Sequence, residues 1–264
     1  VVSRVAEKMS ADAIIGSLLG SLDGHHRIED HHYFPAFQRV EPRLVREGEF
    51  DFDSGVRAAQ ALLDAFLAEH DGVAIVKTPR GGYDGKGVMV LDSPQHAREQ
   101  AVAWFDELPH RTDFSALLAE EKVPFTRELS ALVARRESGQ VLPWPVVETI
   151  QVNSVCDEVI APAPSLSPAI ARAASDAAVT LATELGVTGV MAAELFEVPG
   201  SSAGFYINEL AMRPHNTGHW TQEGSVTSQF EQHLRAVLDM PLGATTMRDE
   251  VAIMKNYLGG ENED

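Results

Sequence analysis

Residues Thr188 to Leu210 read TGVMAAELFEVPGSSAGFYINEL, and the fold turns on them. The runs TGVMAAELFEV and GFYINEL alternate in the manner of two paired strands. Glu194 falls in the first, Glu209 in the second, and Asn208 stands beside Glu209. Two facing carboxylates with an amide suit magnesium, which takes a few oxygen ligands together with nucleotide phosphates. The alternative is a pair of solvent-facing glutamates on a half-buried sheet; the apolar character of both runs favours the metal site.

Working outward, SPAIARAASDAAVTLATELG is an amphipathic helix starting at Ser167 and ended by Gly186. Downstream, RPHNTGHW (Arg213–Trp220) combines cation, imidazole, amide and glycine without the apolar period of a core element, and taken alone reads equally as a functional loop or an ordinary one. A helix, SQFEQHLRAVLDM, and a last strand, EVAIMKNYLGG, follow. Upstream, LLAEEKV, RELSALVARRE and VLPWPVVETIQV read as neighbouring antiparallel strands, with a turn at Ser138–Gln140.

Further upstream, VAIVKT and GVMVLD are two short strands, and KTPRGGYDGKG (Lys77–Gly87) lies between them as a hairpin loop would. Such a loop reads either as an ordinary turn or as a cradle of backbone N–H groups for a polyphosphate. Lys77, Arg80 and Lys86 surround it with positive charge in an acidic chain, which suits a polyphosphate, though composition alone still leans towards an ordinary turn. It is not a Walker loop, since no Gly-Lys-Ser or Gly-Lys-Thr opens a helix after it. SPQHAREQAVAWFDEL follows as a helix capped by Ser93, and VRAAQALLDAFLAEH precedes as another. The charged stretch REGEFDFDSG places a boundary near residue 55, with helical periodicity before it.

The totals exclude several classes. With 264 residues, 44% of them hydrophobic, the chain buries a sizeable core. A formal charge of -18 disfavours nucleic acid and anionic membrane as partners. No apolar run reaches the roughly 18 to 20 residues needed to span a bilayer, and no leader pattern opens the sequence. Cys156 is the single cysteine, so no internal disulfide framework exists and a cytoplasmic location is expected.

Taken together and in order, KTPRGGYDGKG, AEEKVPFTRELSALVARRESG, AAELFEV and NELAMRPHNTGHWTQEGSVTSQFEQHLRAVLDMPLG resemble the N5-carboxyaminoimidazole ribonucleotide synthetase family of ATP-grasp ligases, from about residue 61 to 260. The last segment is the most specific. The resemblance implies an α+β fold with the central and C-terminal parts of an ATP-grasp core, over residues 56–264. It implies an ATP-dependent carbon-nitrogen ligase of purine biosynthesis that activates bicarbonate as carboxyphosphate and carboxylates aminoimidazole ribonucleotide. ATP and Mg2+ are the implied cofactors, and a homodimer is the expected assembly.

On the matching positions the resemblance implies that Lys77 holds ATP phosphate and that the loop Arg80, Gly81, Gly82, Tyr83, Asp84, Gly85, Lys86 and Gly87 closes over it, Lys86 with a catalytic part. Glu120, Glu121, Lys122 and Val123 would form the adenine hinge, and Glu128 would take the ribose. Glu194, Asn208 and Glu209 would hold magnesium, and Arg213, His215 and Asn216 would bind bicarbonate or carboxyphosphate.

Three departures accompany the match. The family's opening nucleotide-binding-like domain and its closing basic segment have no counterpart in these residues, so impaired activity is expected from them alone. Met212 and Thr217 stand where the family more often has Arg or Pro and Ser. Residues 1–55 read as a helical segment, and LDGHHRIEDHHYFPAFQRVEPRL resembles part of a hemerythrin-type bundle. There His25 and Glu29, four apart, and His32 are candidate iron ligands. An iron- or oxygen-binding module fused to a vestigial ligase core is therefore the alternative function.

Overall fold

The structure, a computed structural model, describes residues 48–49, 56–77, 87–93 and 118–257. It divides into two compact units, one within Pro42–Pro124 and one built, among the described residues, mainly of 125–152 and 156–257.

The smaller unit contains β1 (Gly48–Glu49), α1 (Val56–Glu69), β2 (Ala74–Lys77), β3 (Val88–Leu91) and β4 (Leu118–Glu120). The strands form one sheet in the order β1-β4-β2-β3, every neighbouring pair antiparallel. Period-two alternation decides its faces: Ala74, Val76, Met89 and Leu91 are buried, while Val88 and Val90 face outward. In α1, Leu63 and Leu67, four apart on one face, are buried. The helix stops where Asp71 and Gly72 take positive φ, with the Gly72 N–H donating to Leu67 O.

The larger unit is built on a seven-stranded sheet of β5 (Arg127–Arg135), β6 (Val141–Pro143), β7 (Val147–Val152), β8 (Val155–Ala161), β9 (Gly189–Glu197), β10 (Phe205–Ala211) and β11 (Ala252–Lys255). Its order is β10-β9-β5-β7-β8-β11, with β6 also paired to β5. Helix α2 (Pro168–Glu184) covers one face, its Ala174, Ala178, Leu181 and Ala182 packing with Leu129, Ala131 and Val133 of β5 and Met191, Ala193 and Leu195 of β9. The Ser167 hydroxyl caps its start by accepting the Ala169 N–H. At its end the Gly186 N–H reaches Thr183 O and the Val187 N–H reaches Ala182 O, the pairing that a left-handed Gly186 permits.

The opposite face carries Leu132, Ala134, Val190, Ala192 and Ala211, packed in one cluster with Trp144, Trp220, Leu242 and Ala236. Short helix α3 (Thr221–Gly224) and helix α4 (Gln229–Val237) follow β10. Trp144, 2% exposed, ties the segment after α3 to the sheet by donating from Nε1 to Ser225 Oγ (3.1 Å) and to Thr227 O (3.3 Å).

Two strand expectations need correction. Residues 118–120 are not neighbours of RELSALVARRE: β4 pairs with β2 in the smaller unit, with Val76 opposite Ala119. Apolar alternation marks a strand but not its partner, and Pro124 lies on the chain between the two sheets. VLPWPVVETIQV is two strands, β6 and β7, separated at Trp144–Val146. Strand β8 is not expected from the sequence pattern, because it follows a turn at Asn153 and Ser154, both at positive φ, that lacks the Asn-Gly signal of a tight hairpin. The expected helix after Ser93 lies outside the described residues, and no described helix is long and apolar enough to cross a membrane.

Candidate active site

The site grows from the polar end of the face opposite α2. Along β5, Leu132 gives way to Ser130 and Glu128, and along β9, Ala192 gives way to Glu194, all on that face by alternation. Ser130 pairs with Glu194 across the ladder.

Strict alternation would put Asn208 and Glu209 on opposite faces of β10. The register resolves this. Ile207 pairs with Leu195, but Glu209 pairs with Glu194, so Asn208 is an inserted bulge residue. Ile207 and Leu210 both pack against the α2 side, with two residues between them instead of one. Asn208 and Glu209 are thereby left together on the face of Glu194.

After β10 the chain turns over this end of the sheet. His215 precedes a 3-10 turn, Asn216–Gly218, and a ligand atom of His215 lies within 4.8 Å of one from Glu194 and one from Glu209. His215 Nδ1 is 3.7 Å from Glu194 Oε1 and 3.0 Å from the Thr217 hydroxyl, which itself meets Ser130 Oγ at 2.8 Å. The loop is therefore tied to β5 through a chain of hydroxyls.

The electrostatics follow from burial and crowding of like charge. Burial, then the Glu209 and Glu128 charges, push the Glu194 carboxyl up to about 8, with Arg213 opposing. Burial and the Glu209 charge also raise Glu128. Burial, then the Arg213 and His219 charges, lower His215 to about 4, so its imidazole is neutral at pH 7. Glu194 and Glu209, with a His215 ring nitrogen within 4.8 Å of both, fit a divalent cation: two carboxylates whose charges repel are a pair that a cation relieves.

In the smaller unit, Lys77 closes β2 opposite Val88, the first residue of β3. Its Nζ pairs with Glu120 Oε2 at 2.7 Å from the adjacent strand. The structure thus brings together two of the residues expected around ATP. Glu121 and Lys122 follow as exposed residues, and Val123 is half-buried. Gly87 enters β3 at φ +79. Arg80, Gly81, Gly82, Tyr83, Asp84, Gly85 and Lys86 lie outside the described residues, as do His25, Glu29 and His32.

Sequence reading missed Ser130, Thr217, His219 and Gln229 as parts of this site. Gln229 carried a signal: Gln229, Gln232, His233 and Ala236 form the buried face of α4, a helical stripe whose polar members need partners. Gln232 satisfies both the N–H and the carbonyl of Gly243, and His233 Nδ1 accepts the Val190 N–H.

The fold and the carboxylate cluster define the class: the ATP-grasp domain pattern matches residues 54–230, and the chain belongs to the ATP-grasp family. Within it, the chain is 49% identical over 210 residues to the N5-carboxyaminoimidazole ribonucleotide synthase of Corynebacterium ammoniagenes, covering 79% of this chain and 49% of that protein. It is similar to a crystal structure of an N5-carboxyaminoimidazole ribonucleotide synthetase in complex with ADP (TM-score 0.70, 34% identity, 84% of this chain and 54% of that one). It is also similar to the Aspergillus clavatus synthase in complex with ADP and 5-aminoimidazole ribonucleotide (TM-score 0.71, 28% identity, 90% and 59%). The chain spans about half the length of the curated relatives it matches.

Proposed function

We propose that the chain is the ATP-grasp part of a carbon-nitrogen ligase that carboxylates 5-aminoimidazole ribonucleotide with bicarbonate, using Mg-ATP. The observation that carries this reading is the Glu194–Glu209 pair beside the Arg213–Asn216 loop, in a chain half identical to a synthase of that activity. The Aspergillus clavatus relative, which holds ADP and the ribonucleotide, supports the same substrate pair.

In this reading Lys77 and the amides of the loop to Gly87 hold the ATP phosphates, with Lys86 on the transferred group. Glu120 to Val123 receive the adenine and Glu128 the ribose. Glu194, Glu209 and Asn208 would hold magnesium, which when bound neutralises phosphate charge. Bicarbonate oxygen attacks the γ-phosphorus, the bond to ADP breaks, and carboxyphosphate forms. The ribonucleotide amine then forms the N–C bond and phosphate leaves. Positioning and charge neutralisation dominate such a transfer.

Arg213 supplies the fixed positive charge for the bicarbonate or carboxyphosphate anion. His215 does not, because burial keeps it neutral, and its Nδ1 is already engaged by Thr217. Asn216, at the start of the 3-10 turn, adds an amide donor. A homodimer and a cytoplasmic location complete the proposal.

The test is phosphate release from ATP, measured with bicarbonate and aminoimidazole ribonucleotide each present or omitted. Turnover that requires both is expected. ATP hydrolysis indifferent to both, in folded protein, would remove the substrate assignment.

A further inference from the structure

Gln229 opens α4 and is fully buried. Its Oε1 accepts the His215 backbone N–H at 2.9 Å, and its Nε2 donates to the His215 carbonyl at 2.8 Å. One side-chain amide therefore occupies both polar groups of His215, as a neighbouring strand would. Its own backbone N–H is held in turn by Thr221 Oγ1 at 2.8 Å.

These partners fix the orientation of the amide. A backbone N–H can only donate and a carbonyl can only accept, so Oε1 must face the first and the NH2 group the second. The NH2 has one more hydrogen, and it points at His219 Nδ1, 2.9 Å away. Because an amide nitrogen cannot accept, Nδ1 must, and the His219 proton resides on Nε2. Burial, which disfavours the imidazolium, acts in the same sense. The ring lies against Phe230, with centroids 5.7 Å apart, and Nε2 has no hydrogen-bond partner among the described residues.

We infer that Gln229 is the positioning residue of the Arg213–His219 loop: it clamps the His215 peptide and holds His219 as the neutral Nε2–H tautomer, a hydrogen-bond donor for an anionic substrate. The identity of that anion as bicarbonate or its phosphorylated form rests on the function proposed above; the tautomer does not.

The experiment has two arms. In the unaltered chain labelled with 15N-histidine, long-range 15N–1H spectra near neutral pH are expected to show His219 with bare Nδ1 and protonated Nε2. A proton on Nδ1, or an even mixture of tautomers, overturns the inference whatever the protein's activity. In Gln229→Glu, the carboxylate accepts where the amide donated, so Nδ1 is expected to gain a proton. His219 spectra identical to those of the unaltered chain would contradict the clamp. The second arm is kinetic: KM for bicarbonate is expected to rise on the order of tenfold in Gln229→Glu, more than kcat falls, the loss of about one hydrogen bond to a charged group. A fall in kcat alone with the KM unchanged removes the positioning role. If neither protein turns over substrate, the proposed function fails while the spectral arm still decides the tautomer.

Discussion

Glu209 stands opposite Glu194 one residue out of the register that Ile207 sets with Leu195. That single inserted residue, Asn208, converts alternation, which separates neighbours onto two faces, into a cluster with both on one. The site therefore depends on an irregularity of the ladder as much as on the identity of its acids.

Removing Asn208 should then be gentle on the fold. With it deleted, Ile207–Leu195 and Glu209–Glu194 pair in one continuous register and Glu209 keeps its face. A cooperative thermal melt is expected to persist. Mg-ATP affinity, measured by calorimetry, should fall on the order of tenfold, the loss of one ligand to a charged centre. Asn208→Ala, which keeps the bulge, should show the same loss. A deletion that unfolds the protein would show that the bulge is needed for more than the amide.

The raised Glu194 gives a pH-dependent prediction. Its folded pKa, about 8, lies above the ordinary value of 4.5, so the folded state holds the proton more tightly than the unfolded chain. The stability this contributes is full below about pH 4.5 and is lost as pH rises through about 8. Magnesium competes with that proton. The rise in Tm on adding Mg2+ should therefore be larger at the alkaline end of this window than at the acid end, as read by calorimetric melts. Glu209→Gln removes a repelling charge and should shrink the pH dependence of the metal-free melt. An Mg2+ effect independent of pH would exclude Glu194 as the group displaced.

Much of the site was legible because chemistry-bearing residues sat in unusually apolar runs: Glu194 and Glu209 stood out in strands that otherwise supply core. The flanking helices were legible too, since Ser167 and Gly186 mark α2 by caps that act locally. What was not legible required partners distant in sequence. Alternation did not reveal that β4 joins β2 and not β5, nor that Asn208 is inserted in the ladder. Ser130 reads as an ordinary strand residue until the fold brings Thr217, 87 positions away, to its hydroxyl.

That hydroxyl chain can be measured. Thr217→Val keeps the shape of the side chain but leaves Ser130 Oγ and His215 Nδ1, both buried, without it. The expected cost is about 1–3 kcal/mol in urea unfolding, since the unsatisfied groups lose their desolvation compensation. Thr217→Ser, which retains the hydroxyl, should recover most of it. Equal destabilisation by both variants would point to the lost methyl and not to the hydrogen bonds.

In the smaller unit, Lys77 and Glu120 form a partly exposed pair, and its contribution to stability should be small. Lys77→Met is expected to change unfolding free energy by less than about 1 kcal/mol. If Lys77 holds ATP phosphate, the same variant should weaken ATP binding by tenfold or more, the loss of a charged contact to phosphate. Unchanged ATP affinity in a folded variant would take Lys77 out of the nucleotide site.

Gly218 offers a sharper probe of how the loop is held. A β-carbon placed there collides with Oε1 of Gln229 and comes within 2.9 Å of a methyl of Leu132. Neither neighbour can yield cheaply: Leu132 is buried in the sheet, and Gln229 is committed to the His215 peptide on one side and His219 on the other. Gly218→Ala should displace the amide, free the His215 N–H and carbonyl together, and destabilise the fold by about 1–3 kcal/mol. Because His215 and Arg213 move with that peptide, turnover should fall further than stability alone accounts for, at temperatures well below the variant's own Tm. Gly224→Ala is the matched control: the nearest atoms to its β-carbon belong to Ala252 and Trp220. It should lose comparable stability and retain turnover, and equal loss of turnover in both would reduce Gly218 to a packing residue.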